Sequence, residues 1–335
     1  MIERLRASAS LPPFPVYAGL TEALIEAHRS DDAARDPVVA HVLGTCAAYA
    51  YSDAETVSAM MARVGLEESA CVGITQTVDA MFIYSTAWLV QSRCGRVVVL
   101  CYRGTEPSTF GNWLGDADVG SDSVTLHDDD GDVTVAVHSG FYRNVRATRW
   151  DVLRELNHAL EGRSLLDPEQ RLPHRMEALY VAGHSLGGAM AVLFGLSLVG
   201  TPQHAALAAT LRAIYTFGQP MTLAGTDSRT IDAVGRRLHR HVAARDIIPS
   251  MPPVAWGRFA HIGHEYICSE NEWLRSEKPV AQLSNLREIP RSLLAFFATG
   301  KRRETLRYTA AEHGPHHYLS ALRPRGMLTE FGDEG

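Results

Sequence analysis

The chain lacks the features that mark several broad classes of protein. Lysines and arginines form no basic tract, both charge signs are spread along the sequence, and the formal net charge is −6. A nucleic-acid footprint is therefore not expected. No apolar stretch reaches the ~20 residues that a bilayer-spanning helix requires. The opening residues, "MIERLRASASLPPFPVYAGL", lack the central apolar run of a secretory signal. The five cysteines, at positions 46, 71, 94, 101 and 268, form no C-x-x-C pair. An odd number without a leader is expected of reduced thiols in a cytoplasmic protein, unless a leader has been removed from a secreted one. Neither an internal repeat nor a low-complexity linker interrupts the chain.

What remains is 335 residues, 46% of them hydrophobic, enough for one large α/β domain or two small ones with a substantial core. The first seventy residues read as helical. "AGLTEALIEAHRS" is amphipathic, and "SDAETVSAMMARVG" places Ser52 and Glu55 in capping-box spacing and stops at Gly65. The texture then changes. "AMFIYSTAWLVQS" and "RVVVLCY" are rich in strand-forming residues and are separated by the turn signal Cys94-Gly95. "DSVTLHDDDGDVTVAVH" alternates apolar and polar residues on both sides of Asp130-Gly131, which predicts a hairpin. "FYRNVRATRWDVLRELNHALEG" has helical spacing with Gly162 as its stop, and "MEALYVAG" has the nearly continuous apolar character of a central strand. "LRAIYTFG" and "RLHRHVAA" are later strand candidates. Alternating strands and helices predict a mostly parallel central sheet with helices on both faces. Residues 268–310, with the single apolar run "SLLAFFATG", read as an insertion.

Chemistry enters at "VAGHSLGGAMAVLFGL", residues 181–196. The G-x-S-x-G pattern from Gly183 to Gly187 follows a buried strand and precedes a helix of small and apolar residues, the context of a nucleophile elbow. Glycines are needed there because the turn is strained and bulky neighbours would collide with the adjacent strand and helix. Ser185 is thus a candidate nucleophile, and the helix N-terminus behind it points N–H groups at the place where negative charge would develop. His184, adjacent to the serine, is expected to pack rather than react.

A serine hydroxyl needs an imidazole base, and the base needs an orienting carboxylate, in the chain order Ser, Asp or Glu, His. Asp246 in "HVAARDIIPSMPP" follows a strand candidate and precedes Ile-Ile-Pro, where a carboxylate would be partly desolvated. Asp227 and Asp232 satisfy the order but sit in a polar segment. The base candidates after Asp246 are His261, His264, His313, His316 and His317. His313, in a polar turn ahead of Gly314-Pro315, fits the need for a loop histidine best, with His316 and His317 assigned to the helix start.

These residues carry a family resemblance. The blocks "VVVLCYRGTEPSTFGNWLGDADV", "VHSGFYRNV", "VAGHSLGGAMA", "IYTFGQP", "RDIIPSMPP", "HIGHEYI" and "EHGPHHYL" occur in the order seen in the class 3 lipases, the family of the fungal triacylglycerol lipases and their bacterial relatives, over roughly residues 95–320. The resemblance implies an α/β-hydrolase fold for residues 71–335, with residues 1–70 as a helical extension packed on the core. It implies Ser185, Asp246 and His313 as the catalytic triad and backbone N–H groups of Thr105 and Leu186 as the oxyanion hole. It places a lid at about 106–119, with Phe110, Trp113 and Leu114 on its apolar side and Asp116 steadying the oxyanion residue. The implied activity is carboxylic ester hydrolysis, that of a lipase, on an ester or lipid substrate, with no cofactor. A phospholipase, a lipid-independent esterase and a non-catalytic protein on a hydrolase scaffold are the alternatives.

His239-x-His241 and the pair His261 and His264 have metal-ligand spacing, but neither has a nearby Cys or carboxylate to complete a set, so no metal is expected. "DDDGD" lacks the first acid and the bidentate Glu of a calcium loop. The choice of base has a direct check. His313→Ala should abolish ester hydrolysis while His317→Ala retains it, and the opposite pattern would move the base to His317.

Overall fold

The computed structural model describes residues 1–6, 13–29, 34–105, 121–128, 131–225, 227–269, 272–284 and 310–333. An opening strand, β1 (Ile2–Arg6), precedes helices α1 (Leu20–Glu26), α2 (Pro37–Tyr49) and α3 (Ala54–Val64). Strands β2 (Ala70–Val78), β3 (Ile83–Gln91) and β4 (Val97–Tyr102) come next, then β5 (Ser121–Asp128), β6 (Gly131–His138) and the long helix α4 (Ser139–Leu160). The second half contains β7 (Ala178–His184), α5 (Leu186–Val199), β8 (Leu211–Phe217), β9 (Leu223–Ala224), α6 (Arg229–Arg237), β10 (Leu238–Ala243), β11 (His264–Ser269) and β12 (Glu272–Arg275). Two short helices follow, α7 (Ala310–His313) and α8 (Pro315–Leu322).

The main sheet has nine strands in the order β1-β2-β3-β4-β7-β8-β10-β11-β12. Strands β4, β7, β8, β10 and β11 run parallel. β1, β2 and β3 join antiparallel on one side and β12 on the other. The sheet is therefore mixed rather than mostly parallel. The reason is local: the links from β2 to β3 to β4 are too short for crossovers, so those strands pair as hairpins. The predicted hairpin β5–β6 forms, but in a separate three-stranded sheet with β9.

Period-two alternation divides the core between the two faces of the sheet. Val98, Leu100 and Tyr102 of β4 and Leu179 and Val181 of β7 face one layer, with Phe141 and Leu156 of α4 and Met190 and Leu193 of α5. Val97, Val99 and Cys101 of β4 and Ala178, Tyr180 and Ala182 of β7 face the other, with Leu43 of α2, Met61 of α3 and Tyr318 and Leu322 of α8. Helix α5 is buried on nearly all sides, which explains why Ser197 is its one polar residue. The N-terminal helices are thus one face of the shared core.

Three expectations for the ends of elements are corrected. Residues 2–6 form an edge strand, not part of a helical segment; its charged, largely exposed pattern is how edge strands resist further pairing, and it leaves little periodic signal. β12 lies inside the segment read as an insertion and is likewise an exposed edge. The N-cap of α3 is Asp53, whose side chain accepts from the Thr56 N–H at 2.7 Å, so the cap stands one residue after Ser52.

β1 is tied across the sheet to α4. The Arg4 guanidinium binds the fully buried Glu155 carboxylate at 2.9 and 3.2 Å and also donates to the Leu165 carbonyl. Arg154 reaches the same carboxylate at 3.1 Å. Burial pushes the Glu155 carboxyl up, but the hydrogen bonds and charge of Arg4, with Arg154 and His158, outweigh it and hold it below its ordinary value. A carboxyl depressed in the folded state stabilises the fold above its unfolded pKa, and that contribution disappears as pH falls through the folded value. Arg4→Ala should therefore cost about 2 kcal/mol at pH 7, the scale of hydrogen bonds to a charged group. The difference from wild type in urea denaturation should shrink as the pH is lowered through the acidic range.

Candidate active site

The parallel strands β4, β7, β8 and β10 end on the same side, and the chemistry-bearing residues gather there. Ser185 follows β7 directly and adopts φ 56°, ψ −128°, a left-handed value unusual for a residue with a side chain. Such a residue costs on the order of 1–3 kcal/mol and persists only where its surroundings hold it. Here the Ser185 N–H donates to the Phe217 carbonyl at 2.9 Å, and its carbonyl accepts from the Gly188 N–H at 2.9 Å. The flanking glycines are needed for close approach. A methyl group at Gly183 would collide with the Gly187 backbone, and one at Gly187 with the Tyr102 carbonyl.

Asp246 lies three residues past β10 and is 3% exposed. Its Oδ1 accepts from the Ile248 N–H at 2.9 Å. Its Oδ2 accepts from the His313 Nδ1–H at 2.8 Å and from the Tyr318 hydroxyl at 2.7 Å. Burial, and then the Asp246 charge, push the Tyr318 phenol well above its ordinary pKa, so the phenol stays protonated and can donate. The Tyr318 oxygen in turn accepts from the Ala243 N–H at 3.0 Å. His313 Nε2 lies 2.9 Å from Ser185 Oγ. The structure thus brings Ser185, His313 and Asp246 into one hydrogen-bonded row.

His313 is the last residue of the one-turn helix α7 rather than a loop residue. Its neighbour Glu312 accepts from the Arg245 N–H at 2.9 Å and from Arg245 Nε at 2.6 Å, tying α7 to the residue before Asp246. Among the other histidines, His316 and His317 lie in the first turn of α8, and neither is hydrogen-bonded to Ser185 or Asp246. His261 donates to the Pro249 carbonyl at 2.7 Å, and His264 lies 2.8 Å from Arg275. Asp227 and Asp232 are exposed. His184, expected only to pack, is hydrogen-bonded at both ring nitrogens.

Thr105 is buried, and the preceding Gly104 lies against the elbow, where an added methyl would come within 3.2 Å of Ser185 Cβ. Leu186 is the first residue of α5, so its N–H has no intrahelical acceptor. Phe110, Trp113, Leu114 and Asp116 lie outside the described residues. His239 and His241 stack on Tyr215 and Tyr266, and Arg35 donates to His241 Nε2 at 3.1 Å. Among the described residues no group of three or more His, Cys, Asp or Glu side chains is arranged to hold a metal.

Three contributors went unread in the sequence. Tyr318 stands in the quoted block "EHGPHHYL" without a sign of its partner, and the Glu312–Arg245 link spans 67 positions. Gly218, after β8, has φ +59°, and a Cβ there would lie 2.8 Å from Asp246 Oδ2 and 3.0 Å from His313 Nδ1.

Residues 99–256 match the family described as Lipase (class 3). The chain is 29% identical over 198 residues to a lipase of Rhizomucor miehei, an alignment covering 59% of this chain and 49% of that protein. It is 28% identical over 144 residues to a secreted mono- and diacylglycerol lipase 2 of Gibberella zeae, covering 40% of this chain and 31% of the other. The chain thus spans half or less of these relatives' length. Among solved structures, the native propeptide complex of the Rhizomucor miehei lipase superposes with a TM-score of 0.52 at 21% identity, covering 73% of each chain. That likeness shows the α/β-hydrolase fold.

Gly218 gives the geometry a direct test. In Gly218→Ala the left-handed backbone alone costs about 1–2 kcal/mol, and the methyl intrudes between Asp246 and His313. The variant should melt at a lower temperature and lose the downfield His313 Nδ1 proton resonance of the wild-type chain.

Proposed function

Because the chain belongs to the class 3 lipase family across residues 99–256, we propose that it is a serine carboxylic ester hydrolase acting on acyl esters of lipid type. The observation that carries this reading is the row Ser185 Oγ, His313 Nε2, His313 Nδ1 and Asp246 Oδ2, with links of 2.9 and 2.8 Å. In that geometry His313 takes the Ser185 proton as Oγ attacks the ester carbonyl. The Asp246 carboxylate holds the imidazole with Nδ1 protonated and balances the charge of the imidazolium that forms. The N–H groups of Leu186 and Thr105 are assigned to the oxyanion of the tetrahedral intermediate. His313 then gives its proton to the departing alcohol, leaving an acyl-serine. Water, deprotonated by His313, attacks that acyl group, and the carboxylic acid leaves as Ser185 recovers its proton.

The enzyme reading takes residues 1–70 as an extension of the same domain, because their helices share its core. It takes a lipid-water interface as the place of action, with the substrate class drawn from the names of the lipase relatives. No single helix among the described residues is long and apolar enough to cross a membrane. The cysteine count of five, odd and without a C-x-x-C pair, favours a reducing compartment, whereas the Gibberella zeae relative is secreted by name.

A fluorophosphonate probe should label the wild-type chain at Ser185. Ser185→Ala should keep the wild-type circular dichroism while turnover of p-nitrophenyl esters falls by about 10⁴-fold or more. Near-normal turnover in Ser185→Ala, or a wild-type chain that the probe leaves unlabelled, would overturn the assignment. A rise in rate above the solubility limit of the ester separates a lipase from an esterase of dissolved substrates.

A further inference from the structure

The N-terminal segment lies outside the residues that match the family, yet one of its side chains reaches the site. Tyr51, just beyond the end of α2, places its hydroxyl 2.8 Å from His184 Nδ1. The same hydroxyl sits over Gly104, where an added methyl would collide with it, next to the assigned oxyanion residue Thr105. On the far side of the ring, His184 Nε2 lies 2.7 Å from the His313 carbonyl oxygen. The His184 and His313 rings are 4.7 Å apart, and Tyr318 meets His184 edge-on at 5.7 Å.

These contacts dictate the state of His184. A carbonyl only accepts, so Nε2 carries the hydrogen. Burial, reinforced by His313, holds the imidazole neutral, so Nδ1 is bare and accepts from the Tyr51 hydroxyl. Each ring nitrogen therefore determines the partner of the other. The His313 carbonyl stands at the end of α7, where a helix leaves its last carbonyls without internal partners. A one-turn helix is a weak platform on its own, and His313 must present Nε2 to Ser185 within a few tenths of an ångström.

We propose that Tyr51 and His184 form a positioning pair that anchors the His313 backbone and makes the N-terminal segment part of the active site. Asp246 restrains the His313 ring from the side chain, while His184 restrains it from the main chain. Tyr51 sets the tautomer that makes His184 a donor to that carbonyl, and its contact with Gly104 links the base to the oxyanion turn. For its kinetic consequence this inference rests on the hydrolase reading; its structural content does not.

Tyr51→Phe removes one oxygen and keeps the ring. It should lower kcat for p-nitrophenyl butyrate about tenfold with KM within about twofold, and move the acidic limb of the kcat/KM profile, while the melting temperature changes by only a few degrees. His184→Gln, which keeps a donor near Nε2, should retain more turnover than His184→Leu. A readout that needs no turnover comes from ¹⁵N-histidine-labelled protein. Wild type should show His184 as the Nε2–H tautomer, and Tyr51→Phe should populate both tautomers and shift the His313 nitrogens. Unchanged kcat and pH profile in Tyr51→Phe, or unchanged His184 and His313 nitrogen resonances, would overturn the proposal. If the wild-type chain hydrolyses no ester, the hydrolase reading fails, and the nitrogen spectra alone decide on the positioning pair.

Discussion

The buried carboxylate of Asp246 is the point on which the C-terminal part of this chain depends. A charged group taken out of water costs several kcal/mol unless it is paired and hydrogen-bonded. Asp246 meets that requirement with donors from three places: the Ile248 backbone, His313 at the end of α7, and Tyr318 in α8. Two of the three donors come from α7 and α8, so the packing of those helices supplies most of the partners of the buried carboxylate. The bare Cα of Gly218 leaves the space in which they meet.

The rest of the site is built by close approach. β4, β7 and α5 come near enough at the elbow that Gly183 and Gly187 admit no side chain. That tightness, together with the Ser185 backbone hydrogen bonds to Phe217 and Gly188, holds Ser185 at its left-handed φ. α5 can sit there because, apart from Ser197, it is apolar all round and is buried on nearly every side. Behind the opposite face of the sheet, the N-terminal helices and α8 share one layer of core, with Leu322 against Gly44 of α2 and Phe217 of β8. The His313 carbonyl is bonded to His184, 129 positions earlier, and His184 to Tyr51, a further 133 positions back.

The legible parts of the sequence share a property: their demands are local. The elbow could be read because strand, glycine, serine, glycine and helix all lie within one stretch. Asp246 could be read because an acid ahead of Ile-Ile-Pro is heading for burial, and the order of the triad narrows the search. The central strands announced themselves by continuous apolar runs. The edges did not. β1 and β12 are charged and exposed, so burial imposes no pattern on them. The alternation of strands and helices makes the sheet look more parallel than it is because β1, β2 and β12, which all pair antiparallel, are not among the strands read from the sequence. The cap of α3 moved from Ser52 to Asp53 because two adjacent residues could both cap, and the start of the helix chooses between them.

The sequence by itself determined the kind of chemistry available, since only a few residue types can serve as nucleophile, base and acid, and their order along the chain restricts which ones can meet. Tertiary structure decided which of five histidines stands 2.9 Å from Ser185 Oγ, that Tyr318 completes the shell of Asp246, and that His184, itself bonded to Tyr51, reaches the His313 carbonyl. The physical reason is that a hydrogen bond depends on separations of a few tenths of an ångström between side chains that the sheet brings together from distant parts of the chain. No local pattern carries that information; it arises when the two faces of the core close on the sheet.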